Sequence, residues 1–229
     1  MISIAIDGPS GAGKSTVAKK CAERFGFRYV DTGAIYRTIG LAAFNKAINT
    51  KDGNAVVAIL PELCIDLRYT ESGEQRMMLN GSDVSEEIRR PEISMCASNV
   101  SAIAAVRNYL TDMQRNMAKK YDVIMDGRDI GTVILPDADV KVFLTASAAA
   151  RAERRYKELV KKGNKISYDE VLNDMKLRDE QDTGRAAAPL KAADDAIYLD
   201  TSDMSFDESV NAVAKLIIEK TGRMPISER

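Results

Sequence analysis

Eight consecutive residues carry the clearest chemistry in the chain: Gly8-Pro-Ser-Gly-Ala-Gly-Lys-Ser15, with Thr16 following. The spacing fits G-x-x-x-x-G-K-[ST], a loop whose glycines let the backbone curl until successive N–H groups aim at one anion. A helix beginning near Lys14 would add its positive end to the same point. Lys14 would reach the outer phosphates of a nucleoside triphosphate, and the Ser15 hydroxyl is placed to ligate Mg2+. The full cradle expected from these positions is Gly8, Pro9, Ser10, Gly11, Ala12, Gly13, Lys14, Ser15 and Thr16.

The second chemical group is arginine. Arg37 follows Asp31-Thr-Gly-Ala-Ile-Tyr36, and Arg128 lies in Asp126-Gly-Arg-Asp129, directly after the apolar run Val123-Ile-Met125. Arg151, Arg154 and Arg155 open one helical stretch, while Arg178 and Arg185 bracket the end of another. The planar guanidinium fork matches phosphate oxygens in a two-point manner that lysine cannot reproduce. Arg37 and Arg128 read as turn positions after strands, which in an open α/β sheet point into the ligand crevice. Arg154 reads as a solvated surface charge. Asp126, at a strand end, either orients Mg2+-bound water or caps backbone. Histidine is absent, which excludes any mechanism with a histidine base or ligand. An acceptor already ionised near neutrality, such as a phosphate oxygen with a second pKa of about 6, needs no such base, and an aspartate base in a kinase is equally compatible with the absence of histidine. The guanine-reading N-K-x-D pattern is missing: Asn45-Lys-Ala-Ile and Asn164-Lys-Ile-Ser both lack the aspartate. Glu71-Ser-Gly-Glu-Gln75 reads as a turn.

These groups need a scaffold, and the apolar pattern supplies one. Ile2 to Ile6 is a short strand-like run, followed by helical spacing through Val17, Ala18, Cys21, Ala22 and Phe25 and a stop at Gly26. Arg28-Tyr-Val30 reads as a second strand, and further strands are expected at 122–125, 140–144 and 196–199. Helices are expected at about 104–119, 148–161, 171–182 and 206–220. Ser167-Tyr-Asp-Glu170 and Ser205-Phe-Asp-Glu208 are capping boxes that support two of their starts. Strands alternating with helices imply an α/β fold, a doubly wound parallel sheet. From Pro61 to Arg90 the rhythm changes: 64–69 and 75–79 alternate like strands, and Asn80-Gly81 is a hairpin signal before a short strand near Val84. A small antiparallel sheet inserted into the α/β core is the simplest reading. Arg223 to Arg229 reads as a loose tail.

The totals exclude several classes. Of 229 residues, 33 are Lys or Arg and 34 are Asp or Glu, so the basic excess of a nucleic-acid groove is missing. Cys21, Cys64 and Cys96 are odd in number and widely spaced, as expected of reduced thiols. The apolar start of the chain runs straight into glycines and reads as a buried strand, not a leader. No apolar run approaches the ~18–20 residues of a membrane span. A cytoplasmic protein is expected.

Four stretches together resemble the bacterial-type cytidylate kinases of the nucleoside monophosphate kinase group: Ile6-Asp-Gly-Pro-Ser-Gly-Ala-Gly-Lys14, Asp31-Thr-Gly-Ala-Ile-Tyr-Arg37, Asp126-Gly-Arg-Asp-Ile-Gly-Thr132 and Arg185-Ala-Ala-Ala-Pro-Leu190. The resemblance covers nearly the whole chain. It implies a single kinase domain over 1–229, with a core at about 1–37, 106–150 and 183–229. A monophosphate-binding lobe would occupy about 38–105, and a short lid with flanking helices about 151–182. It implies transfer of the γ-phosphate of ATP, with Mg2+, to CMP or dCMP in pyrimidine nucleotide metabolism, by a monomer that engages neither nucleic acid nor membrane. A kinase of the same fold acting on UMP or another small acceptor is the alternative. By the same resemblance, Arg37 and Arg128 hold the acceptor phosphate, and Lys14, Arg128, Arg151, Arg155 and Arg185 are catalytic, the last three closing over the transferring group. Asp31 and Thr32 join the acceptor site. Asp129, Ser98 and Arg107 surround the base, although the residues alone leave Ser98 and Arg107 as ordinary helix-surface positions. Arg178 and Asp182 lie near the sugar. A carboxylate such as Asp129 would accept from the 4-amino group of cytosine and repel the oxygen that uracil carries there. Ser15 would bind Mg2+ directly, and Asp126 through water.

Overall fold

A computed structural model describes residues 1–161 and 163–228. The chain runs β1 (Ser3–Asp7), α1 (Lys14–Phe25), β2 (Arg28–Asp31), α2 (Thr32–Asn45), α3 (Gly53–Ile59), β3 (Ile65–Tyr69), β4 (Gln75–Leu79) and β5 (Ser82–Asp83). It continues through α4 (Pro91–Ser101), α5 (Ala104–Lys120), β6 (Val123–Gly127), β7 (Val140–Thr145), α6 (Ala148–Lys161), α7 (Tyr168–Gly184), β8 (Ile197–Asp200) and α8 (Phe206–Thr221). Five strands form one parallel sheet in the order β2-β6-β1-β7-β8, and the other three form a separate antiparallel sheet, β3-β4-β5. The expected α/β architecture with an inserted hairpin sheet is present.

Strand alternation sorts the core into two layers. Ile4, Ile6 and Ile124 pack with α1 and α8 through Val17, Cys21, Phe25, Val213 and Ile217. Ala5, Val123 and Met125 face the other way, onto Ile35, Ile39, Val106 and Leu110 of α2 and α5. Sheet register brings the polar strand ends into line: Asp7 pairs with Gly127, and Asp31 with Asp126. Both capping boxes form as expected, at Ser167 with Glu170 and at Ser205 with Glu208. Asn80 and Gly81 take positive φ angles of 51° and 86°, which gives the hairpin turn between β4 and β5. Cys21, Cys64 and Cys96 are unpaired thiols. Among the described residues, no helix is long and apolar enough to cross a membrane.

Three expectations change. Arg37 is not in a turn; it lies one turn into α2, because Asp31 caps the helix by accepting from the Ala34 N–H at 2.9 Å. The buried run Ala34, Ile35, Ile39, Leu41, Ala42 and Ala43 then carries that helix across the core. Close packing of α2 on α4 depends on Gly40, where a Cβ would stand 3.0 Å from the Ala97 nitrogen. Arg154 is not merely solvated: it donates to the side-chain and main-chain oxygens of Thr201 and ties α6 to the loop after β8. The described part of the C-terminal tail is docked; Arg229 lies outside the described residues. Arg223 pairs with Asp122 at 3.3 Å and stacks over Phe27, and Ile226 packs against Gly26.

A docked tail has a measurable consequence. Arg223→Ala removes one half-buried ion pair and one cation–π contact, together worth about 1 kcal/mol, so the melting temperature should fall by about 2–4 °C. An unchanged thermal midpoint would show that the tail adds nothing to the fold.

Candidate active site

The glycine-rich loop leaves β1 at Gly8, whose φ is 147°. A Cβ there would sit 1.9 Å from the Leu144 carbonyl oxygen, so only glycine permits the loop to pass so close to β7. Gly13, at φ 91°, ends the loop and starts α1, so the free N–H groups of a twelve-residue helix face the cradle. Lys14 is buried and donates to the Pro9 carbonyl at 2.7 Å, which folds its side chain back across the loop. Burial, then the positive charge of Arg128, lowers the Lys14 pKa, against the pull of Asp126, Asp182 and Asp7.

Asp126 stands at the head of the cradle. Its Oδ2 accepts from Ser15 Oγ at 2.7 Å and its Oδ1 from the Tyr29 hydroxyl at 2.9 Å. Burial and the neighbouring Asp31 push its carboxyl up to about 6, while Lys14 and the two hydroxyls act in the opposite direction. Thr32 spends its hydroxyl proton on the Asp126 main-chain oxygen at 2.8 Å. Ser15 and Asp126 are thus a convergent pair of hard oxygen donors of the kind Mg2+ accepts. No group of three or more His, Cys, Asp or Glu side chains able to hold a metal occurs among the described residues.

Arg128 leaves the end of β6 and faces the same space. Its Nε donates to Asp182 Oδ2 at 2.7 Å, and its charge is felt by Lys14, Arg37, Arg178 and Arg185. Arg37 donates to Ser94 Oγ at 3.2 Å, and burial lowers its pKa, with Asp31 opposing and Arg89, Arg128 and Arg155 adding to the effect. Arg178 falls to about 10 through burial and the proximity of Arg128 and Arg37. Its Nε has no hydrogen-bond partner although it is buried. Arg155 pairs with Glu158 at 2.8 Å on the rim. Four guanidinium groups from α2, the end of β6, α6 and α7 therefore converge beside the cradle. That is a costly concentration of like charge unless an anion fills it.

Asp129 is 4% exposed and paired with both Arg107 and Arg185. Arg107 also donates to the Ser101 carbonyl at 3.1 Å and stacks over Tyr36. Arg185 has Nη2 3.7 Å from Asp129 Oδ1 and Nη1 3.3 Å from Ser101 Oγ, and it feels the charge of Arg128 as well. That Nη2 is a second buried donor with no hydrogen-bond partner. Ser98 meets Gln181 of α7 at 3.2 Å. Asp182 joins both ends of the cleft, bonded to Arg128 and 4.0 Å from Arg185; burial would raise its pKa, but Arg128 and then Arg185 and Arg178 bring it below the usual value.

Several contacts that brace the site carry no local signal in the sequence. Arg151 is buried and fully engaged, with Ala146 O at 2.9 Å, Ser10 O at 2.9 Å and Asp179 at 2.7 Å, so it braces the outer wall of the cradle. Met175 of α7 lies over Gly11 on the same wall. On the opposite side, the Gln75 amide accepts from Asp31 N–H at 2.7 Å and donates to Asp31 O at 3.2 Å, standing in for a strand neighbour of β2. Tyr69 adds a bond to Tyr29 O at 2.9 Å, and Arg89 one to Asp31 Oδ2 at 2.8 Å. Arg89 also lines, with Ser15, Thr16 and Lys19, a cavity of about 430 Å3 between α1 and the hairpin sheet.

A parallel sheet with this cradle at the end of its first strand, faced by converging arginines and covered by a hairpin lobe, is the architecture of a P-loop kinase. The family model described as cytidylate kinase matches residues 4–219. The chain is 50% identical to the cytidylate kinase of Caldanaerobacter subterraneus subsp. tengcongensis, over 96% of this chain and 96% of the relative. It is 47% identical to that of Caldicellulosiruptor bescii, over 94% and 95%, and 46% identical to that of Lactobacillus johnsonii, over 96% and 95%. The chain belongs to the cytidylate kinase family.

The raised pKa of Asp126 fixes the sign of a pH effect. Folded Asp126 keeps its proton to about 6, whereas the unfolded chain releases it near the ordinary 3.8. Over that interval the folded form binds more protons, so wild-type stability contributed by this group falls as pH rises. Asp126→Asn has no such proton to lose. Its urea midpoint relative to wild type should shift in the variant's favour between pH 4 and pH 6 and level off above. A difference independent of pH would mean that Asp126 ionises in the fold without penalty.

Proposed function

We propose that the chain transfers the γ-phosphoryl group of ATP to CMP or dCMP, giving ADP with CDP or dCDP, in pyrimidine nucleotide metabolism. The observation that carries this reading is the buried carboxylate Asp129, held by Arg107 and Arg185 beside the arginines that converge next to the phosphate cradle. The matched relatives are named cytidylate kinases, so UMP or another small acceptor is the less favoured alternative.

In this reading the ATP phosphates lie in the loop from Gly8 to Thr16, against main-chain N–H groups, with Lys14 released from Pro9 O to meet the β- and γ-phosphates. Ser15 would hold Mg2+ directly and Asp126 through water; when bound, the ion neutralises charge on the phosphate oxygens. The acceptor phosphate lies between Arg37 and Arg128, where the unpartnered Nε of Arg178 supports an anion. An acceptor phosphate oxygen forms the new bond to the γ-phosphorus as the bond from γ-phosphorus to the β–γ bridging oxygen breaks. No proton has to move, which fits a chain without histidine. Arg155, on the exposed rim of α6, closes toward the transferring group, while Arg151 keeps Ser10 in place behind it.

Asp129 accepts from the 4-amino group of cytosine, steadied by Arg107 and Arg185, with Ser98 beside it. Arg178 and Asp182 lie along the sugar. Asp31 and Thr32 serve the acceptor site through what they hold: Asp31 caps the helix that carries Arg37, and Thr32 fixes the strand end at Asp126. Residues 38–105 form the acceptor lobe and 151–182 the lid, on a core of the remaining segments, and the protein acts as a cytosolic monomer.

The test is incubation with Mg2+-ATP and CMP, dCMP, UMP or AMP, followed by separation of the diphosphate products. The cytidine acceptors should be phosphorylated with the highest kcat/KM. Asp129→Ala should cut kcat/KM for CMP by about 10^2-fold or more and abolish preference over UMP, leaving ATP binding intact. A CMP-to-UMP ratio unchanged by that substitution would overturn the assignment of the base-reading residue.

A further inference from the structure

Asp7, the residue immediately before the cradle, is buried and bonded to neither the loop nor the lid. Its Oδ1 accepts from the Ile130 N–H at 2.8 Å and its Oδ2 from the Gly131 N–H at 2.7 Å. These are the first two residues of a wide helical turn, Ile130–Ile134, that starts directly after Asp129. At the other end of that turn, Arg115 of α5 donates to Ile134 O at 3.1 Å and Val133 O at 2.9 Å. The turn thus has an anion on its free N–H groups and a cation on its last carbonyls, the polarity its peptide dipoles favour. The Lys141 stem closes a third side, since a Cβ on Gly131 would meet Lys141 Cδ at 3.2 Å and Asp7 Oδ2 at 3.4 Å. The Asp129 carbonyl is itself inside the turn, accepting from Val133 N–H at 2.9 Å and Ile134 N–H at 3.2 Å.

We propose that Asp7 is a positioning residue for acceptor-base recognition: by holding the Ile130 and Gly131 N–H groups it sets where the Asp129 carboxylate stands. The proposal rests on the assignment of Asp129 to the base. A carboxylate between two arginines discriminates between an amino group and an oxygen only if its backbone cannot swivel, and the two bonds from Asp7 remove that freedom. Because Gly8 follows Asp7, the same short segment that starts the ATP cradle also fixes the acceptor-reading turn. Burial pushes the Asp7 carboxyl up to about 6, with the two N–H donors and Lys14 opposing, so near neutrality it is ionised and offers both oxygens.

Asp7→Asn is close in shape but converts one accepting oxygen into a donor, which leaves one of the two N–H groups without a partner. In the full-length enzyme, KM for CMP should rise about tenfold or more and preference for CMP over UMP should fall by a similar factor. The KM for ATP and kcat at saturating CMP should change less than about threefold. In the Asp129→Ala background, Asp7→Asn should produce no further loss of preference. An Asp7→Asn enzyme with unchanged preference, beside an Asp129→Ala enzyme that has lost it, overturns the role of Asp7 and leaves the base assignment standing. Unchanged preference in Asp129→Ala overturns both. A parallel rise in KM for ATP and CMP means general loosening of the cleft and also overturns the positioning role. Should Asp7→Asn fail to fold, Gly131→Ala crowds the same joint through its added methyl. It should give the same split at a few-fold size, and a folded Gly131→Ala with wild-type CMP kinetics overturns the proposal.

Discussion

The structure depends on holding many buried charges of both signs within one cleft. Lys14, Arg128, Arg151, Arg107 and Arg185 are each bonded or paired to a fixed acceptor, mostly a carboxylate or a main-chain oxygen of the scaffold. A buried cation without such a partner would cost several kcal/mol by desolvation alone. The aspartates serve the protein in the way anionic ligands would, and they do so from strand ends and helix faces whose positions are set by the core. Where compensation is incomplete, at Arg178 Nε and Arg185 Nη2, the remaining capacity points to where an additional acceptor is accommodated.

Parallel register makes this compensation possible. Asp7, Gly127, Asp126 and Asp31 lie side by side because β1, β6 and β2 pair in register, with Ile4, Ala5 and Ile6 anchoring β1 from both faces. β1 thereby fixes the end of β6, from which Arg128 and Asp129 depart, and through β6 the end of β2, where Asp31 caps α2. A shift of one residue in β1 would exchange Ile4 and Ile6 with Ala5 across the sheet and separate Asp7 from the Ile130 turn at the same time. Core packing and site geometry are, at this edge, the same constraint.

What could be read from sequence was local. The cradle, the strand before it, Asp126-Gly-Arg-Asp129 after β6, the hairpin at Asn80-Gly81 and both capping boxes are short patterns whose physics is complete within a few residues. The sequence around Asp31-Thr-Gly33 reads as a turn leading to Arg37, whereas Asp31 bonds forward to Ala34 and begins a helix. The docking of Arg223 and Ile226, the anchoring of Arg154 on Thr201, and the pairing of Arg185 with Asp129 each need a partner distant in the chain. No spacing rule announces such contacts. The same holds for Tyr29 on Asp126, Gln75 on Asp31 and Met175 over Gly11, which brace the site from three separate elements.

These braces hold the two walls of the cleft from separate elements. The cradle wall is held from the lid side by Arg151, which spans Ser10, Ala146 and Asp179. The acceptor side is held from the hairpin lobe by Gln75, Tyr69 and Arg89, all acting on the β2 edge. The two sets share no residue, and the walls meet where Ser98 of α4 bonds Gln181 of α7 at 3.2 Å. Between them stand the residues fixed to the sheet itself: Asp126 by Ser15 and Tyr29, and the Asp129 turn by Asp7. The Asp126 and Asp129 carboxylates are thus held at the sheet by contacts that belong to neither wall. A recognition group carried on a flap would have to be ordered anew with each substrate, at a cost in conformational entropy of about 1–2 kcal/mol per residue fixed. Placing it at a strand end meets that cost once, when the chain folds.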